Sequence, residues 1–449
     1  MTAPITVLTP TGTLGYGFGA EALKRGMSLS PHVIAVDAGS TDPGPHYLGA
    51  GEPLVSRFAM KRELTDLIEA SRRAKIPLIV GSAGGAGTGA HVDWTLDIVR
   101  EIARETGLKF RLGAIYSDIP IERAKRAVRN GEVQDFEAET PLTEADLQDT
   151  NALVAQMGHE PICKALDEGA DVIIAGRACD DSTIAAFPVW RGADLALSIH
   201  MGKILECGAF SAEPFAMDVM MGEVHDDHFV LEPGSLERRA SVKSVAAHSL
   251  YERENPFQQG GPGHELDLSA CKFVADGDRR VKVSGARATM TPEYWVKLEG
   301  ARRLGFRSIS VAGIRCPTTI AHLDHLLTGS RQETLDYFGR PDLKITFHVY
   351  GRDGVMQELE PKRNMQSTEI GLVMDVLAAD QATAHGACHH LSGKLLHRHH
   401  PGQFNTSGNL AFPYSPSELD GGAVYEFSAY HLMKTASPME LFPVEIEDL

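Results

Sequence analysis

The segment Ala175-Gly176-Arg177-Ala178-Cys179-Asp180-Asp181-Ser182 places a guanidinium, a thiol and two carboxyls directly behind a short apolar run. Charges at the end of a buried strand are costly unless something answers them. Two readings follow. In one, Arg177 forks onto a substrate carboxylate while Asp180 or Asp181 works as acid or base. In the other, Arg177 and an Asp pair with each other and pin the loop. Cys179 could be a nucleophile, but a small buried thiol is the commoner role for such a residue.

Two glycine-rich stretches add binding chemistry. Residues 10–19 (PTGTLGYGFG) follow a first strand and lead into a helix, and residues 81–89 (GSAGGAGTG) follow a third strand and do the same. Glycine permits close backbone approach, and a helix start offers unpaired N–H groups, so together they suit a small anion. Gly12, Gly15, Gly17, Ser82, Gly84 and Gly85 are the candidate ligand-binding residues, with Asp37 closing the second strand. Gly17-Phe18-Gly19-Ala20-Glu21-Ala22 fits GxGxxA, and Asp37 stands about 20 residues on, where a dinucleotide fold keeps its ribose-binding acid. Against this, eight residues separate Leu8 from Gly17, whereas a dinucleotide turn follows its strand at once. No GxxxxGK[ST] occurs, which removes a P-loop.

Other residues could also carry chemistry. Asp118 closes a strand and reads equally as a cap or turn residue. His159-Glu160 opens a helix carrying Lys164, while Lys203 and Glu206 are read on a turn after Ile199. Each alone is more often a surface or capping group. His385, Cys388, His389, His390, His397, His399 and His400 invite a metal, since 385 and 389 are one helical turn apart. No HExxH-type spacing follows, and a solvated basic helix end before Pro401 explains the tract as well. No metal or cofactor is assigned.

The elements that must position these groups alternate through the first half. Runs at 5–8, 33–36, 78–80, 112–116 and 172–175 are short, apolar and β-branched, as strands covered on both faces are. Leu64, Leu67, Ile68 and Ala74 share one helical face, as do Val92, Leu96, Val99, Ile102 and Ala103 before a stop at Gly107. The expectation is an α/β fold with a mainly parallel, doubly wound sheet in the N-terminal half, and ligands beyond its carboxyl edge. The texture changes over 222–290, where 255–263 (NPFQQGGPG) is rich in turn residues. Alternation at Ile345, Phe347 and Val349, a strand at 424–430 and a helix over 380–396 predict an α+β second half. The expected domains are a glycine-rich ligand-binding domain, 1–225, and an α+β domain with a C-terminal extension, 226–449. The acidic residues after Ser437 are read as a surface extension.

Composition sets the class. The chain has 449 residues, 43% hydrophobic and 23% charged, which is ordinary for a folded soluble protein. Its formal charge of -17 opposes a phosphate backbone or an anionic membrane as general partner. The six scattered cysteines form no CxxC pair, and no signal-like or membrane-spanning run is present, so a cytoplasmic, reduced protein is expected.

The glycine-rich opening, the 81–89 loop, the 175–181 segment and Val281-Lys282-Val283-Ser284-Gly285-Ala286-Arg287 together resemble the acyclic terpene utilisation AtuA-like family. The order of the motifs carries the resemblance, which covers most of 5–330. Phe404-Asn405-Thr406-Ser407-Gly408-Asn409 and residues 424–433 resemble a longer subgroup with an extra C-terminal block. The resemblance implies catabolism of organic acids by way of acyl-CoA intermediates, sometimes with a small partner protein, and raises Arg287 to a site candidate. Three functions are weighed. The first is a hydratase- or dehydratase-type lyase acting on a small carboxylate or thioester, with Arg177 or Arg287 holding the acid and Asp180 or Asp181 moving the proton. The second is an NAD(P)-dependent oxidoreductase, and the third a non-catalytic subunit of a degradation complex. A symmetric homo-oligomer is expected on general grounds.

Overall fold

The computed structural model describes residues 3–136, 140–253, 255–362, 367–404 and 406–449, with Ala209 described in its backbone only. Asn405 of the C-terminal motif lies outside the described residues. The chain divides into two compact units, Met1–Arg302 with Phe427–Leu449, and Arg303–Glu426.

The first unit opens with β1 (Ile5–Thr9), α1 (Ala20–Ser28), β2 (Val33–Asp37), α2 (Pro45–Ala50), α3 (Arg57–Ala74), β3 (Leu78–Gly81), α4 (Gly89–Thr106) and β4 (Arg111–Ile115). It continues with α5 (Ile121–Arg129), β5 (Val133–Asp135), α6 (Glu144–Gln148), β6 (Thr150–Ala155), α7 (Glu160–Asp167), β7 (Val172–Ala175), α8 (Asp180–Trp190) and α9 (Leu195–Leu205). Every strand expected in this half is present. The strands β1-β2-β3-β7-β4 lie side by side and parallel. Strand alternation divides their side chains between two layers. Leu8, Ile34, Val36, Val80 and Ile174 pack with α3 and α4 on one face. Val7, Val33, Ala35, Ile79, Ile173 and Ala175 pack with α7, α8 and α9 on the other. The sheet is thus covered on both sides, as doubly wound sheets are.

Antiparallel strands extend this parallel core to ten strands. Met220–Val224 pairs with β1 and is followed outward by His228–Pro233, Arg280–Ser284 and Lys272–Asp276. At the other edge Val444–Asp448 pairs with β4. The acidic C-terminus is therefore an edge strand and not a loose surface extension. Its backbone completes the β4 ladder while exposed acidic side chains such as Glu445 and Asp448 face outward, which suits an edge. A separate three-stranded antiparallel sheet is built from Gln258–Gly261, His264–Asp267 and Arg287–Met290, so the turn-rich stretch forms an edge strand and its hairpin.

The position of β7 decides where a site can form. From β1 to β3 the chain steps outward strand by strand, then passes over to β4 and returns to place β7 between β3 and β4. The helix after β3 lies on one face and the helix after β7 on the other. Loops that leave neighbouring strands for opposite faces open a crevice at the carboxyl edge. Ser82 and Arg177 follow the two strands that flank this switch and are hydrogen-bonded to each other across it.

In the second unit, Lys344–Tyr350 and Ile370–Ala378 pair antiparallel, and Ile370–Ala378 pairs with residues 306–314 of the strand Tyr294–Ile314. Helices Leu323–Phe338 and Gln381–His397 share an apolar core with these strands. This is the expected α+β texture. The strand Glu418–Thr435 contains the expected 424–430 run.

Glycine is required where the β2 and β3 loops meet. Gly39 has φ +149°, and a Cβ there would lie 2.4 Å from Gly85 Cα. Gly39→Ala should therefore cost about 2–3 kcal/mol, the scale of overpacking. Urea unfolding followed by circular dichroism measures it, and an unchanged midpoint would show that the loops separate freely.

Candidate functional site

Arg177 follows β7 at the crevice and is almost wholly buried, 3% exposed. Its backbone N–H donates to Gly87 O (3.1 Å) and to Ser117 Oγ (2.7 Å). In the side chain, Nε donates to Glu299 Oε2 at 2.7 Å and Nη2 approaches Glu299 Oε1 at 3.4 Å. Nη1 donates to Ser82 Oγ (3.0 Å), Ala178 O (3.2 Å) and Asp180 Oδ1 (3.3 Å). The fork that a substrate carboxylate would use is taken by Glu299. The Arg177–Asp180 pairing that pins the loop is present.

Glu299 sits in the strand Tyr294–Ile314 with no exposure at all. It also accepts from Thr41 Oγ1 at 3.0 Å and lies 3.2 Å from Lys297 Nζ. Burial alone would raise its carboxyl, but Arg177 and Lys297 outweigh burial and bring it down to about 2. Lys297 is held in turn by a 2.6 Å hydrogen bond to Tyr430 Oη and by the face of that ring.

Beside the arginine stands a group of carboxyls. Thr9 and Asp37 project from the ends of β1 and β2 toward α8 and α9, because they share the strand face of Val7 and Val33. Asp37 Oδ2 accepts the Gly39 N–H at 3.0 Å, while Oδ1 is buried without a partner, as are the hydroxyls of Thr9 and Thr11. Burial, and then the charge of Asp180, push Asp37 well above the carboxylate range despite Arg177. Burial likewise raises Asp180 to about 6 against the pull of Arg177 and Lys203. Glu206 is raised by burial, which the adjacent Lys203 offsets only in part. Asp180 keeps 25% of its side-chain surface exposed, against 4% for Arg177 and Glu206, so it is the accessible member.

Lys203 and Glu206 occupy α9 and its C-terminal cap, not a turn, because α9 is apolar and buried around most of its circumference. Lys203 donates to both Glu206 and Glu252. Asp181, one residue past Asp180, faces another way: Ser182 Oγ donates to its Oδ1 (3.0 Å) and Gln259 Nε2 to its Oδ2 (2.6 Å). Burial, then Asp181 and Asp180, raise the Cys179 thiol well above its ordinary value, which suits a packed thiol and not a nucleophile.

The first glycine loop does hold a carboxylate, and it is the chain's own. The N–H groups of Gly15 and Gly17 donate to Glu63 at 2.6 and 2.8 Å, and that of Gly19 to Asp218 at 3.1 Å. A dinucleotide pyrophosphate would need these same donors. Gly12 packs beside the Glu206–Cys207 backbone. In the second loop a Cβ on Gly84 would strike His91, one on Gly85 Leu54, and one on Gly87 the Arg177 backbone. These glycines let strand-end loops touch, and Ser82, at φ +48°, turns its hydroxyl to Arg177.

The structure thus brings Asp37, Ser82, Arg177 and Asp180 together, with Gly12 alongside, and turns Asp181 toward Gln259. Gly15 and Gly17 are joined to Glu63. Arg287 is exposed opposite Asp267 on the three-stranded sheet, and among the described residues no hydrogen bond or ion pair joins it to Arg177, Asp180 or Asp181. His159 precedes α7, Lys164 pairs with Glu168 on its surface, and Asp118 stands beside Gly89 at the start of α4. His385 and His389 take separate carboxylates, Asp420 and Glu418. Among the described residues no cluster of three or more His, Cys, Asp or Glu is set to hold a metal. Sequence reasoning missed Glu299 and Glu63. For Glu299 a signal existed: Lys297 and Glu299 alternate with Val296 and Leu298, a charged face on a strand that needs partners.

A protein-family model described as acyclic terpene utilisation family protein AtuA matches residues 57–413. No curated protein and no solved structure matches the chain.

Two stability predictions follow from these charges. Glu299→Gln leaves Lys297 without its counter-charge and Arg177 with Asp180 alone, and should cost about 3–5 kcal/mol in urea unfolding. A loss near zero would mean the pair is solvated. Asp180 behaves oppositely. Because its native carboxyl is raised to about 6, the native state holds the proton longer than the unfolded chain, and stability falls as pH rises through that range. Asp180→Asn removes the penalty, so its Tm should exceed that of the wild type at about pH 8 and converge with it near pH 4. A lower Tm at both pH values would contradict this.

Proposed function

The chain belongs to the acyclic terpene utilisation AtuA family, and we propose that it is a catabolic enzyme acting on a small organic acid or its CoA thioester as a hydratase or dehydratase. The observation that carries this reading is Asp180. Its carboxyl is accessible, is fixed by Arg177 at 3.3 Å, and is raised by burial to about 6. Such a group changes protonation near neutral pH, which is what a proton shuttle requires.

Removing water from a β-hydroxyacyl compound needs a proton delivered to the departing hydroxyl, and adding water needs one withdrawn from it. Asp180 can do both within one site. Arg177 acts as a positioning residue: locked to Glu299, it presents Asp180 in one orientation. The unpartnered hydroxyls of Thr9 and Thr11 offer donors for oxygen atoms of the ligand, beside Asp37, whose carboxyl burial pushes upward. No redox step is called for.

A non-catalytic role has one observation in its favour, the internal pairing of every Arg177 donor group. Turnover separates the two. Purified protein supplied with short and branched β-hydroxyacyl-CoA thioesters should release water. In that direction the acid form of Asp180 is needed, so kcat should fall as pH rises through about 6, and in hydration it should rise. Asp180→Asn should lower either rate by about 10²-fold or more. Absence of turnover across the panel, in a folded protein, would favour the binding-subunit reading.

A further inference from the structure

The histidine-rich tract lies in the second unit, and the reading of Asp180 makes no use of it. Residues of this tract and of the helix Leu323–Phe338 line a cleft of about 720 Å³, a volume that suits a small organic ligand. Five histidines, Lys394 and Arg398 face it, against one acid, Glu333. The chain as a whole has a formal charge of -17, so this lining is a local departure from its surroundings.

Two of the imidazoles are anchored from behind. Thr334 Oγ1 gives its proton to Ser330 O at 2.9 Å, so at 3.0 Å it accepts from His390 Nδ1. Glu418 Oε2 lies 3.3 Å from His389 Nδ1, and a carboxylate can only accept. Both rings therefore carry a proton on Nδ1 and keep Nε2 for other use. Burial, and then Lys394, hold the His390 imidazole below its ordinary value, with Glu333 opposing them. An anion in the cleft would reverse that balance, letting Nε2 take a proton and donate it. Lys394 and Arg398 share Glu333: Nζ lies 3.5 Å from its Oε2, and Nη1 2.7 Å from its Oε1. Two cations thus answer to one carboxylate, and Arg398 Nε is buried without a partner.

Gly393 is the sharper sign. It lies inside the helix Gln381–His397, where glycine weakens the helix. No positive φ requires it, and a Cβ there would meet nothing within 4 Å. Neither backbone conformation nor packing accounts for it. It lines the cleft one turn from both His389 and His397, so a side chain at 393 would fill space that is now open. At the rim, Tyr337 stacks on His390, with ring centroids 4.5 Å apart and planes 19° from parallel, and stays 72% exposed. Phe338 meets the same imidazole edge-on at 6.0 Å. An exposed ring stacked on one that lines the cleft is a platform for a planar base.

We propose that this cleft binds a nucleotide, its phosphates on Lys394, Arg398 and the Nε2 atoms of His389 and His390, and its base on Tyr337. Phosphate suits such a lining because its several oxygens accept from guanidinium, ammonium and imidazolium together. Gly393 leaves the room that the ligand takes. A metal is the poorer fit, because among the described residues no three His, Cys, Asp or Glu are placed to hold one. Every residue used here belongs to the second unit, so the inference stands apart from the hydratase reading.

Isothermal titration calorimetry of the full-length protein at low salt, with ADP and with inorganic phosphate, tests this. ADP should bind about tenfold or more tightly than inorganic phosphate, the difference being the stacked base. Lys394→Glu, at a side chain 45% exposed, should leave the fold intact and weaken ADP by about tenfold or more. Tyr337→Ser should weaken ADP by about tenfold and leave inorganic phosphate unchanged. Gly393→Leu should raise the midpoint of urea unfolding and yet abolish ADP binding, a pairing that a purely structural tract would not give. If that variant does not fold, Lys394→Glu and Tyr337→Ser decide. No binding of ADP at millimolar concentration overturns the proposal, as does ADP binding that the folded variants leave unchanged. Equal affinity for ADP and inorganic phosphate also overturns it, because the cleft would then hold a simple ion.

Discussion

The site depends on one buried ion pair, Arg177 with Glu299. Arg177 is the residue at which β7 leaves the sheet, and Glu299 belongs to a strand that is 122 positions away in the sequence. A guanidinium taken from water at 3% exposure is stable only if its donors are answered with good geometry. Here Nε and Nη2 go to Glu299, and Nη1 goes to Ser82, Ala178 and Asp180. One side chain thus ties the loops after β3 and β7 to the strand Tyr294–Ile314. The crevice at the switch in strand order becomes a fixed place in consequence. Asp180 inherits its orientation from this pair, and the rise of its carboxyl reflects how far burial exceeds the attraction of Arg177.

How much of this could be read from the sequence depends on the distance over which each feature is decided. The parallel strands were legible because runs such as 33–36 and 172–175 are apolar on both faces, a local property. The charged run 177–181 was legible for the same reason. Its internal pairing was one of two open readings, and only the position of Glu299 separates them. Lys203 and Glu206 were misplaced because α9 is apolar nearly all round and shows no helical stripe. The C-terminal strand was missed because edge strands tolerate the acidic side chains that surface tails also carry.

The glycine loops show a subtler limit. Positive φ and close backbone approach serve a bound anion and a packed loop equally well. The stretch 10–19 suits a small anion, and the chemistry of that reading is present in the N–H groups of Gly15 and Gly17. The carboxylate belongs to Glu63, 48 and 46 residues further on. Loop composition reports what the backbone can do and not which partner it meets.

The carboxyls around α8 are costly neighbours. Asp37, Asp180 and Glu206 are each raised by burial, and the charges of Asp180 and Glu206 oppose that of Asp37. Apolar residues of similar size would avoid this cost, and a loop could be pinned by Arg177 and Glu299 alone. The unpartnered atoms nearby point the same way: Asp37 Oδ1, two threonine hydroxyls, His264 Nε2 and the free donors of Arg253. Local rules for a stable core are broken repeatedly in this part of the first unit. Such departures from a well-satisfied core cost stability and must be offset elsewhere in the fold. The ion pair at the centre makes them tolerable, because it holds the loops together while the groups beside them remain unsatisfied.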